Sequence, residues 1–443
     1  ADELRERGMG EIPYRSPWSI TVPGCVDGWE ALSARFGRLP LRDVLEPAIG
    51  YATNGFPVSA ELGETLVRIG ELVGDQPSAA ELYPDGAPAA AGSHIRRPRF
   101  AATLVAIAEA GRSAFYEGEV AAGIIEASRG MITPDDLSVV QADWIEPVGL
   151  DIFGRTAWTI PPNSQGYLTL ATLAVFEQLD PPTDPNDPMF THLLIEAYRS
   201  VAWERADTVG DPSTAAVGVD ELLDRERLAG RARSINRNGT VRWPVPESQL
   251  GGTAYMTVLD GDGMGVSFIQ SNFAGIGSGL SAGGTGVWLH NRGAGFNLIP
   301  GHPNEMRAGK RPLHTLSPML WTDDTRLDLL LGTRGGDQQP QYLATFAALH
   351  YHAGLCTDDA QAAPRWSMQQ PEPGTDSSVQ LESRFAPSVP DRLASLGHDV
   401  NIARSHEPGW GPISAIDAGD ERKGSADPRV STSAALAAPI TPR

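Results

Sequence analysis

A change of hydrophobic pattern near the middle of the chain constrains its fold more than any other feature. Before residue 249, apolar residues recur three and four positions apart, as in 41–55, which predicts amphipathic helices ending at glycine. After it, two β-branched and aromatic runs, TAYMTVLD and MGVSFIQSNF, are joined by DGDG, a typical hairpin turn. Helices followed by paired strands predict an α+β fold in which helices cover sheets.

The same patterns predict further elements on both sides of this change. Helices are expected at 27–37, with Asp27 as the capping residue, and at RFAATLVAIAEAG, THLLIEAYRSVAWERAD and PQYLATFAALHYHAG. Short strands are expected at VWLH and RLDLLLG, and proline-rich surface loops at 83–94 and 181–188. The order of these elements does not by itself fix the fold.

The balance of charge limits the classes of partner. Acidic residues outnumber basic ones by 55 to 35 in 443 residues, which gives a formal net charge of −20. Such a body repels nucleic-acid phosphates and anionic lipid, and a short basic cluster, RRPR, is isolated. No apolar stretch reaches the roughly 18 residues of a membrane-spanning helix. We therefore expect neither nucleic-acid binding nor membrane insertion.

The cysteines and the start of the chain bear on its compartment. Cys25 and Cys356 could form one bridge, but two reduced, packed thiols are favoured. The chain begins ADELRERG, without methionine or an apolar signal segment, so we expect that it starts after a leader or is a fragment. A cytoplasmic location is favoured slightly over export.

Three motifs suggest chemistry that their surroundings disfavour. GIGSGLSAGG is glycine-rich like a phosphate loop, but it lacks the lysine and is followed by VWLH rather than by a helix. Ser281 lies in a G-x-S-x-G sequence, the motif of a serine hydrolase, yet that motif needs a strand, a sharp turn and a helix. His350 and His352 are two apart on a predicted helix without accompanying carboxylates, so no metal site is predicted.

Thr253 is a fourth candidate for chemistry. A threonine hydroxyl is weak at neutral pH, but cleavage of the peptide bond before it would free an α-amine that titrates near neutrality and can act as its base. Gly251 and Gly252 leave that bond uncrowded. Taken alone, this sequence is more consistent with a turn followed by a strand threonine.

The residues around Thr253 favour the nucleophile instead, because they resemble the γ-glutamyltranspeptidase family. The resemblance is carried by 251–296, by PGHPNEMRAGKRPLHTLSPML and GTRGGDQQPQ, and upstream by TVPGCVDGWEAL, PPNSQGY and ERADTVGDPS. Members are amino-terminal-nucleophile hydrolases that cut themselves into two subunits. The resemblance implies a four-layer αββα sandwich, with a large subunit 1–252 and a small subunit 253–443 in one domain. It also implies several tens of residues before position 1, including an arginine that holds the substrate carboxylate.

The matching positions imply a set of catalytic roles. Thr253 would attack the bond after Gly252 and then the amide substrate, and Ser271 would hydrogen-bond and tune this nucleophile. The backbone N–H groups of Gly335 and Gly336 would form the oxyanion hole, where glycine lets the backbone approach the substrate. Each such donor is typically worth about 2.7–4 kcal/mol in the transition state.

The substrate-binding positions depart from those of glutathione-processing members. His314 and Thr315 occupy the Ser-Ser pair that binds the γ-glutamyl carboxylate, so only Thr315 keeps a hydroxyl. Phe273, Arg292 and Gly295 occupy the positions that bind its ammonium group. Arg292 cannot pair with an ammonium; it could clamp a carboxylate or be a structural ion-pair residue. The NRGAGF pattern is more similar to that of oxamate amidohydrolases and cephalosporin acylases.

The resemblance thus implies an autoprocessed threonine amidohydrolase, nominally a γ-glutamyltransferase or glutathione hydrolase, with water favoured over an amine as acyl acceptor. The alternatives are an oxamate-type amidohydrolase, a cephalosporin-type acylase, a serine hydrolase through Ser281 and an uncut, non-catalytic member. The expected partners are a small amide substrate and the two subunits of one precursor. No cofactor or metal is expected, and assembly of identical copies stays open.

Overall fold

The computed structural model describes residues 1–243, 252–368 and 378–438. The chain divides into two compact units: unit 1 comprises residues 1–144 and 272–298, and unit 2 comprises residues 145–271 and 299–443. Within the described ranges, no helix combines the length and the apolar character needed to span a bilayer. The predicted subunit boundary after residue 252 falls inside unit 2, and the two-subunit division stays a prediction.

Unit 1 is mainly helical. Its helices are α1 (Asp2–Glu6), α2 (Cys25–Phe36), α3 (Leu41–Asn54), α4 (Ala60–Val73), α5 (Pro98–Ala110), α6 (Arg112–Tyr116), α7 (Glu119–Ala127) and α8 (Pro134–Ser138). Strands β1 (Phe56–Pro57) and β2 (His94–Ile95) pair antiparallel. The apolar faces of α2, α3, α5, α6 and α7 meet in a core around Ile107, Phe115 and Ile124.

The helix predictions in unit 1 are confirmed with one local correction. Helix α3 ends as expected before Gly55, whose φ of 98° suits a residue without a Cβ. Helix α2, however, begins at Cys25, two residues before Asp27, so Asp27 does not cap it. The Asp27 carboxylate pairs instead with Arg112 at 2.8 Å, a use of the acid that local sequence does not reveal.

Unit 2 contains the larger sheets. Its helices are α9 (Tyr167–Glu177), α10 (Pro188–Ala202), α11 (Arg205–Thr208), α12 (Val219–Leu222), α13 (Arg225–Ser234), α14 (Gln339–Ala347), α15 (Thr357–Ala362) and α16 (Ser388–Ser395). Its strands are β3 (Val148–Ile152), β4 (Arg155–Thr159), β5 (Gly252–Leu259), β6 (Gly265–Phe273), β7 (Met319–Asp323), β8 (Arg326–Thr333), β9 (Trp366–Met368), β10 (Ser378–Glu382), β11 (Asp399–Ala403), β12 (Ile413–Asp417) and β13 (Lys423–Ser425).

The strands of unit 2 form three sheets within the described residues. One is six-stranded and antiparallel, in the order β13-β12-β8-β7-β4-β3; the others are β11-β10-β9 and the predicted hairpin β5-β6. One face of the six-stranded sheet packs on α9 and α14, and α10 packs on α9 in the same core. Helix α9 is apolar on all sides and buried along almost its whole length, as expected for a helix enclosed by a core.

The hairpin covers the opposite face of the six-stranded sheet. On β8, Leu329 and Leu331 join the helical core, whereas Leu330 and Gly332 point toward the hairpin. A Cβ on Gly332 would lie 2.1 Å from Cζ of Tyr255, so only glycine lets the ring approach this closely. Helices, six-stranded sheet and hairpin are therefore successive layers, and the beginning of β5 lies over the end of β8.

The remaining element predictions are confirmed except for one strand. RLDLLLG forms β8, and PQYLATFAALHYHAG forms α14 and a following π-helix, Ala348–His352. The strand predicted at VWLH is wrong, because 287–290 make only an isolated bridge between Trp288 and Ser281. This segment belongs to a glycine-rich loop whose positive φ angles, at Gly283 and Gly286 among others, are incompatible with an extended ladder.

Candidate active site

Thr253 stands near the start of β5, on the face turned toward the six-stranded sheet. Side chains alternate along a strand, so Thr253 and Tyr255 are half-buried while Met256 is 51% exposed. The Thr253 hydroxyl donates to the Ser271 Oγ on β6 at 3.1 Å. The hairpin therefore brings these two predicted residues together. Gly252 is placed only as the first residue of β5, and residues 244–251 lie outside the described part of the chain.

Gly335 and Gly336 form a tight turn that leaves the end of β8. Their φ angles are 137° and 59°, which side chains rarely adopt, and a Cβ on Gly335 would lie 3.0 Å from the Tyr342 ring. Gly336 begins a short 3-10 helix, so its N–H has no acceptor inside that helix. Backbone donors at such a helix start suit a developing negative charge.

Three buried side chains that the sequence analysis did not assign hold this turn in place. Gln165 donates through Nε2 to the Gly336 carbonyl at 2.9 Å, and its Oε1 accepts from Arg205 at 2.6 Å. The same guanidinium pairs with Asp337 at 2.7 Å. Burial disfavours the Arg205 charge, but the adjacent Asp337 carboxylate outweighs it and raises the pKa of Arg205 above its usual value. The turn is thus held by a buried ion pair and by the glutamine that hydrogen-bonds to it.

His314 and Thr315 lie in the loop that precedes β7, beside the segment that carries Gln165. The His314 N–H donates to the Asn163 carbonyl at 2.8 Å, and the Gln165 N–H donates to the His314 carbonyl at 2.9 Å. Thr315 is buried, and its carbonyl accepts from Gln165 Nε2 at 3.1 Å. One glutamine side chain therefore contacts both the predicted carboxylate-binding loop and the Gly336 turn.

Arg292 and Phe273 form a pair in unit 1. The Arg292 guanidinium lies 4.2 Å from the centre of the Phe273 ring, a cation–π contact, and both side chains are buried. Phe273 has a φ of 74°, and its ring stacks on Tyr14 at 5.8 Å. Gly295 ends the short 3-10 helix that Arg292 begins. Burial, and then the Arg292 charge, lowers the pKa of His290 to about 4. Arg292 therefore lies beside a histidine that is neutral near pH 7.

The structure does not give Ser281 the setting of a hydrolase nucleophile. Ser281 is buried and donates to the Gly283 carbonyl at 2.9 Å. The described residues after it, 282–291, form no helix, so the strand–turn–helix arrangement that this motif requires is not formed. The G-x-S-x-G match is explained by the glycine-rich loop.

The histidines and cysteines considered earlier have structural contacts. His350 Nδ1 lies 2.9 Å from the Leu355 carbonyl, and His352 Nε2 lies 3.1 Å from the Pro181 carbonyl. In the ranges that the structure covers, no cluster of histidine, cysteine and carboxylate side chains could hold a metal ion. Cys25 and Cys356 are both free, which confirms the expectation of reduced thiols, but both are exposed, so the expectation that they are packed is wrong.

Comparison with known proteins identifies the family of this chain. The family model of gamma-glutamyltranspeptidase matches residues 2–437. The chain belongs to the gamma-glutamyltranspeptidase family. The glutathione hydrolase-like YwrD proenzyme of Bacillus subtilis is 35% identical over 432 residues, which cover 96% of this chain and 82% of that protein. The oxamate amidohydrolase proenzyme of Klebsiella pneumoniae is 34% identical over 440 residues, which cover 97% of this chain and 83% of that protein.

A solved structure extends this match to three dimensions. The cephalosporin acylase from Bacillus halodurans matches with a TM-score of 0.89 and 30% identity, covering 99% of this chain and 82% of that one. The predicted fold class is confirmed: the chain has the α+β fold of the amino-terminal-nucleophile hydrolases. Family membership supports an amidohydrolase, and the relatives' names divide among glutathione hydrolase-like, oxamate amidohydrolase and acylase.

Proposed function

We propose that this protein is an autoprocessed threonine amidohydrolase that cleaves γ-glutamyl or related amide bonds through an acyl-threonine intermediate. The observation that carries the proposal is the hydrogen bond between Thr253 and Ser271 at 3.1 Å, at the beginning of a strand. A strand packed on a sheet holds a hydroxyl in one position, and the neighbouring hydroxyl orients it. A threonine at a new amino terminus would also carry its own base.

The proposed reaction uses the same hydroxyl twice. In processing, the Thr253 oxygen attacks the Gly252 carbonyl carbon, and the hydroxyl proton passes to the Thr253 nitrogen as the C–N bond breaks. Water then hydrolyses the resulting ester to leave a carboxylate and a free α-amine. In turnover, that amine takes the hydroxyl proton, the oxygen attacks the substrate amide, and the leaving amine receives the proton. Water then hydrolyses the acyl-threonine. The Gly335 and Gly336 N–H groups would hold the oxyanion in both attacks.

A denaturing gel of the purified protein tests the nucleophile. We expect one large and one small fragment, with Thr253 as the first residue of the small one, and amide hydrolysis by the cut protein. Thr253→Ala should remain a single chain without activity, whereas Thr257→Ala, on the same strand, should be cut normally. A folded wild type that stays intact, or a cut Thr253→Ala chain, would falsify the assignment.

We further propose that Arg292 directs the enzyme toward acyl groups that carry a carboxylate and no nearby ammonium. Arg292 is 7% exposed, so water screens its charge weakly, and a fixed cation there favours an anion and repels a cation. Oxamate-like and glutaryl amides meet this condition, whereas γ-glutamyl groups carry an ammonium.

Two chromogenic substrates that differ by one ammonium group test this preference. We expect kcat/KM to be higher for glutaryl p-nitroanilide than for γ-glutamyl p-nitroanilide, by up to about two to three decades, the range for breaking a buried charge pair. Arg292→Gln should reduce the ratio. Arg35→Gln, whose guanidinium lies over Trp144 at the surface, should not change it. A wild-type preference for the γ-glutamyl substrate would refute the role of Arg292.

A further inference from the structure

The Gln165 side chain makes three hydrogen bonds through its amide inside unit 2. Nε2 donates to the Gly336 carbonyl at 2.9 Å and to the Thr315 carbonyl at 3.1 Å, while Oε1 accepts from Arg205 at 2.6 Å. The network fixes which end is nitrogen, because carbonyls require a donor and a guanidinium requires an acceptor. The residue is fully buried, so water cannot replace a lost bond.

No residue other than glutamine could make these three contacts from this position. Glutamate would present only acceptors to two carbonyl oxygens, and asparagine carries the same amide on a stem one methylene shorter. Leucine fills a similar volume but would leave both carbonyls and one guanidinium N–H without this partner. An unsatisfied buried polar group typically costs about 1–3 kcal/mol, so the two loops would move to find other partners.

The contact with Gly336 bears on the direction of the proposed oxyanion donors. Glycines at positive φ give a turn freedom to rotate its peptide planes, and each plane carries an N–H opposite its C=O. The Gly336 carbonyl is held by Gln165 and by the Gln339 N–H, and the Gly335 carbonyl accepts from the Gln338 N–H at 3.2 Å. The bond to the Gly335 carbonyl holds the peptide plane that carries the Gly336 N–H, and Gln165 holds the next plane, between Gly336 and Asp337. Because Gly336 can rotate about its own backbone bonds, fixing the plane on its far side limits how the plane with its N–H can turn.

We propose that Gln165 is a positioning residue that couples the Gly335–Gly336 turn to the Thr315 loop. Arg205 hydrogen-bonds Gln165 and pairs with Asp337 at the same time, so the Gly336 carbonyl and the next residue of the turn are held through one guanidinium. Stabilisation of the oxyanion and binding of the acyl group would then depend on the same amide. This inference rests on the proposed amidohydrolase function and adds that one buried side chain sets both kcat and KM.

The test compares Gln165→Leu and Gln165→Asn with a matched control, Gln341→Leu. Gln341 is also buried, and its amide donates to the Met368 carbonyl at 3.3 Å and accepts from the Met368 N–H at 2.8 Å. Each full-length protein is assayed with glutaryl p-nitroanilide, kcat is expressed per new amino-terminal threonine, and Tm is measured in parallel.

We expect Gln165→Leu to lower kcat at least about tenfold, approaching the 10²–10³ of a deleted oxyanion donor, and to raise KM. Gln165→Asn should lie between leucine and wild type. Gln341→Leu should lower Tm by an amount comparable to that for Gln165→Leu. It should keep kcat and KM within about threefold of wild type, because lost packing alone lowers stability rather than turnover per site. Gln165→Leu with wild-type kcat and KM would overturn the inference.

Two further outcomes separate this inference from the proposed function. If Gln165→Leu does not fold or is not cut, Gln165→Asn decides, and wild-type kinetics in that variant would reject the coupling. If the folded wild type hydrolyses neither glutaryl nor γ-glutamyl p-nitroanilide, the proposed function fails and the inference fails with it. Wild-type turnover with an unaffected Gln165 variant rejects the inference alone.

Discussion

At the scale of single residues, the contact between Thr253 and Ser271 orients a nucleophile without deprotonating it. A serine hydroxyl is a poor base near neutral pH, so its bond to Thr253 at 3.1 Å directs the lone pairs of the threonine oxygen and leaves proton transfer to another group. In the proposed mechanism that group is the α-amine. Ser271 therefore contributes geometry, and its expected effect is that of one hydrogen bond.

Ser271→Ala should lower kcat by about two- to tenfold, since one hydrogen bond is worth about 0.5–1.5 kcal/mol. Self-cleavage should slow by a similar factor, because the same oxygen attacks in both reactions. Stopped-flow turnover and a time course of the small fragment measure the two rates. Ser267→Ala is the control: it removes a hydroxyl from the same strand that bonds the Tyr255 hydroxyl at 2.7 Å. Equal kcat in Ser271→Ala and wild type would contradict the orienting role.

At the scale of elements, the Gly335–Gly336 turn depends on a loop far away in sequence. A Cβ on Gly411, just before β12, would lie 1.7 Å from the Arg334 carbonyl oxygen. The Thr333 hydroxyl donates to the Gly411 carbonyl at 3.1 Å. The loop thus contacts the backbone immediately before the turn, and its close approach is possible only at a glycine.

Gly411→Ala should displace the Arg334 peptide and with it the turn. We expect a loss of about 1–3 kcal/mol in the free energy of unfolding, the usual range for overpacking, together with a lower kcat. Gly409→Ala provides the control, because the nearest atom to its Cβ would be a Glu407 side-chain oxygen at 3.5 Å. Urea titration and steady-state kinetics give both quantities. If Gly411→Ala keeps the wild-type kcat, the loop does not support the turn.

Local sequence predicts elements and motifs here, but not the contacts that join them. The hairpin was predictable because DGDG lies between two strand-like runs, and the site glycines because they form a recognisable motif. Gln165 has no such signal: its partners Thr315 and Gly336 lie 150 and 171 positions away, and only the tertiary fold brings them together. The strand prediction at VWLH is wrong for the same reason, because strand-like residues form a strand only where the tertiary fold supplies a partner strand.

At the scale of the whole molecule, a buried histidine pair links stability to pH. His192 Nδ1 lies 2.8 Å from His398 Nε2, and His192 Nε2 lies 3.0 Å from the Asn236 carbonyl. Burial, and then the charges of His192 and Arg199, lowers the pKa of His398 to about 3. Burial also lowers the pKa of His192. The folded protein therefore resists taking up protons that the unfolded chain accepts.

The stability carried by His398 should be complete above the unfolded pKa of about 6.5 and be lost as pH falls toward the folded pKa. At pH 5 the loss amounts to about 2 kcal/mol. Urea unfolding of the uncut Thr253→Ala chain at pH 7.5 and pH 5 measures it. His398→Gln should flatten this dependence, whereas His94→Gln, at an exposed position, should not. Equal pH dependence in all three proteins would assign it to other groups.

The six-stranded sheet takes strands from both sides of the proposed cleavage point. β3 and β4 precede residue 252, β7, β8, β12 and β13 follow it, and β4 pairs directly with β7. Cutting the chain would leave this sheet intact but change the molecularity of its folding from one chain to two. An unfolded precursor could return in a first-order reaction, whereas an unfolded mature enzyme would need two chains to collide. A matured enzyme that unfolds would therefore regain its structure less readily than the precursor does. Its lifetime would depend on the height of the barrier to unfolding.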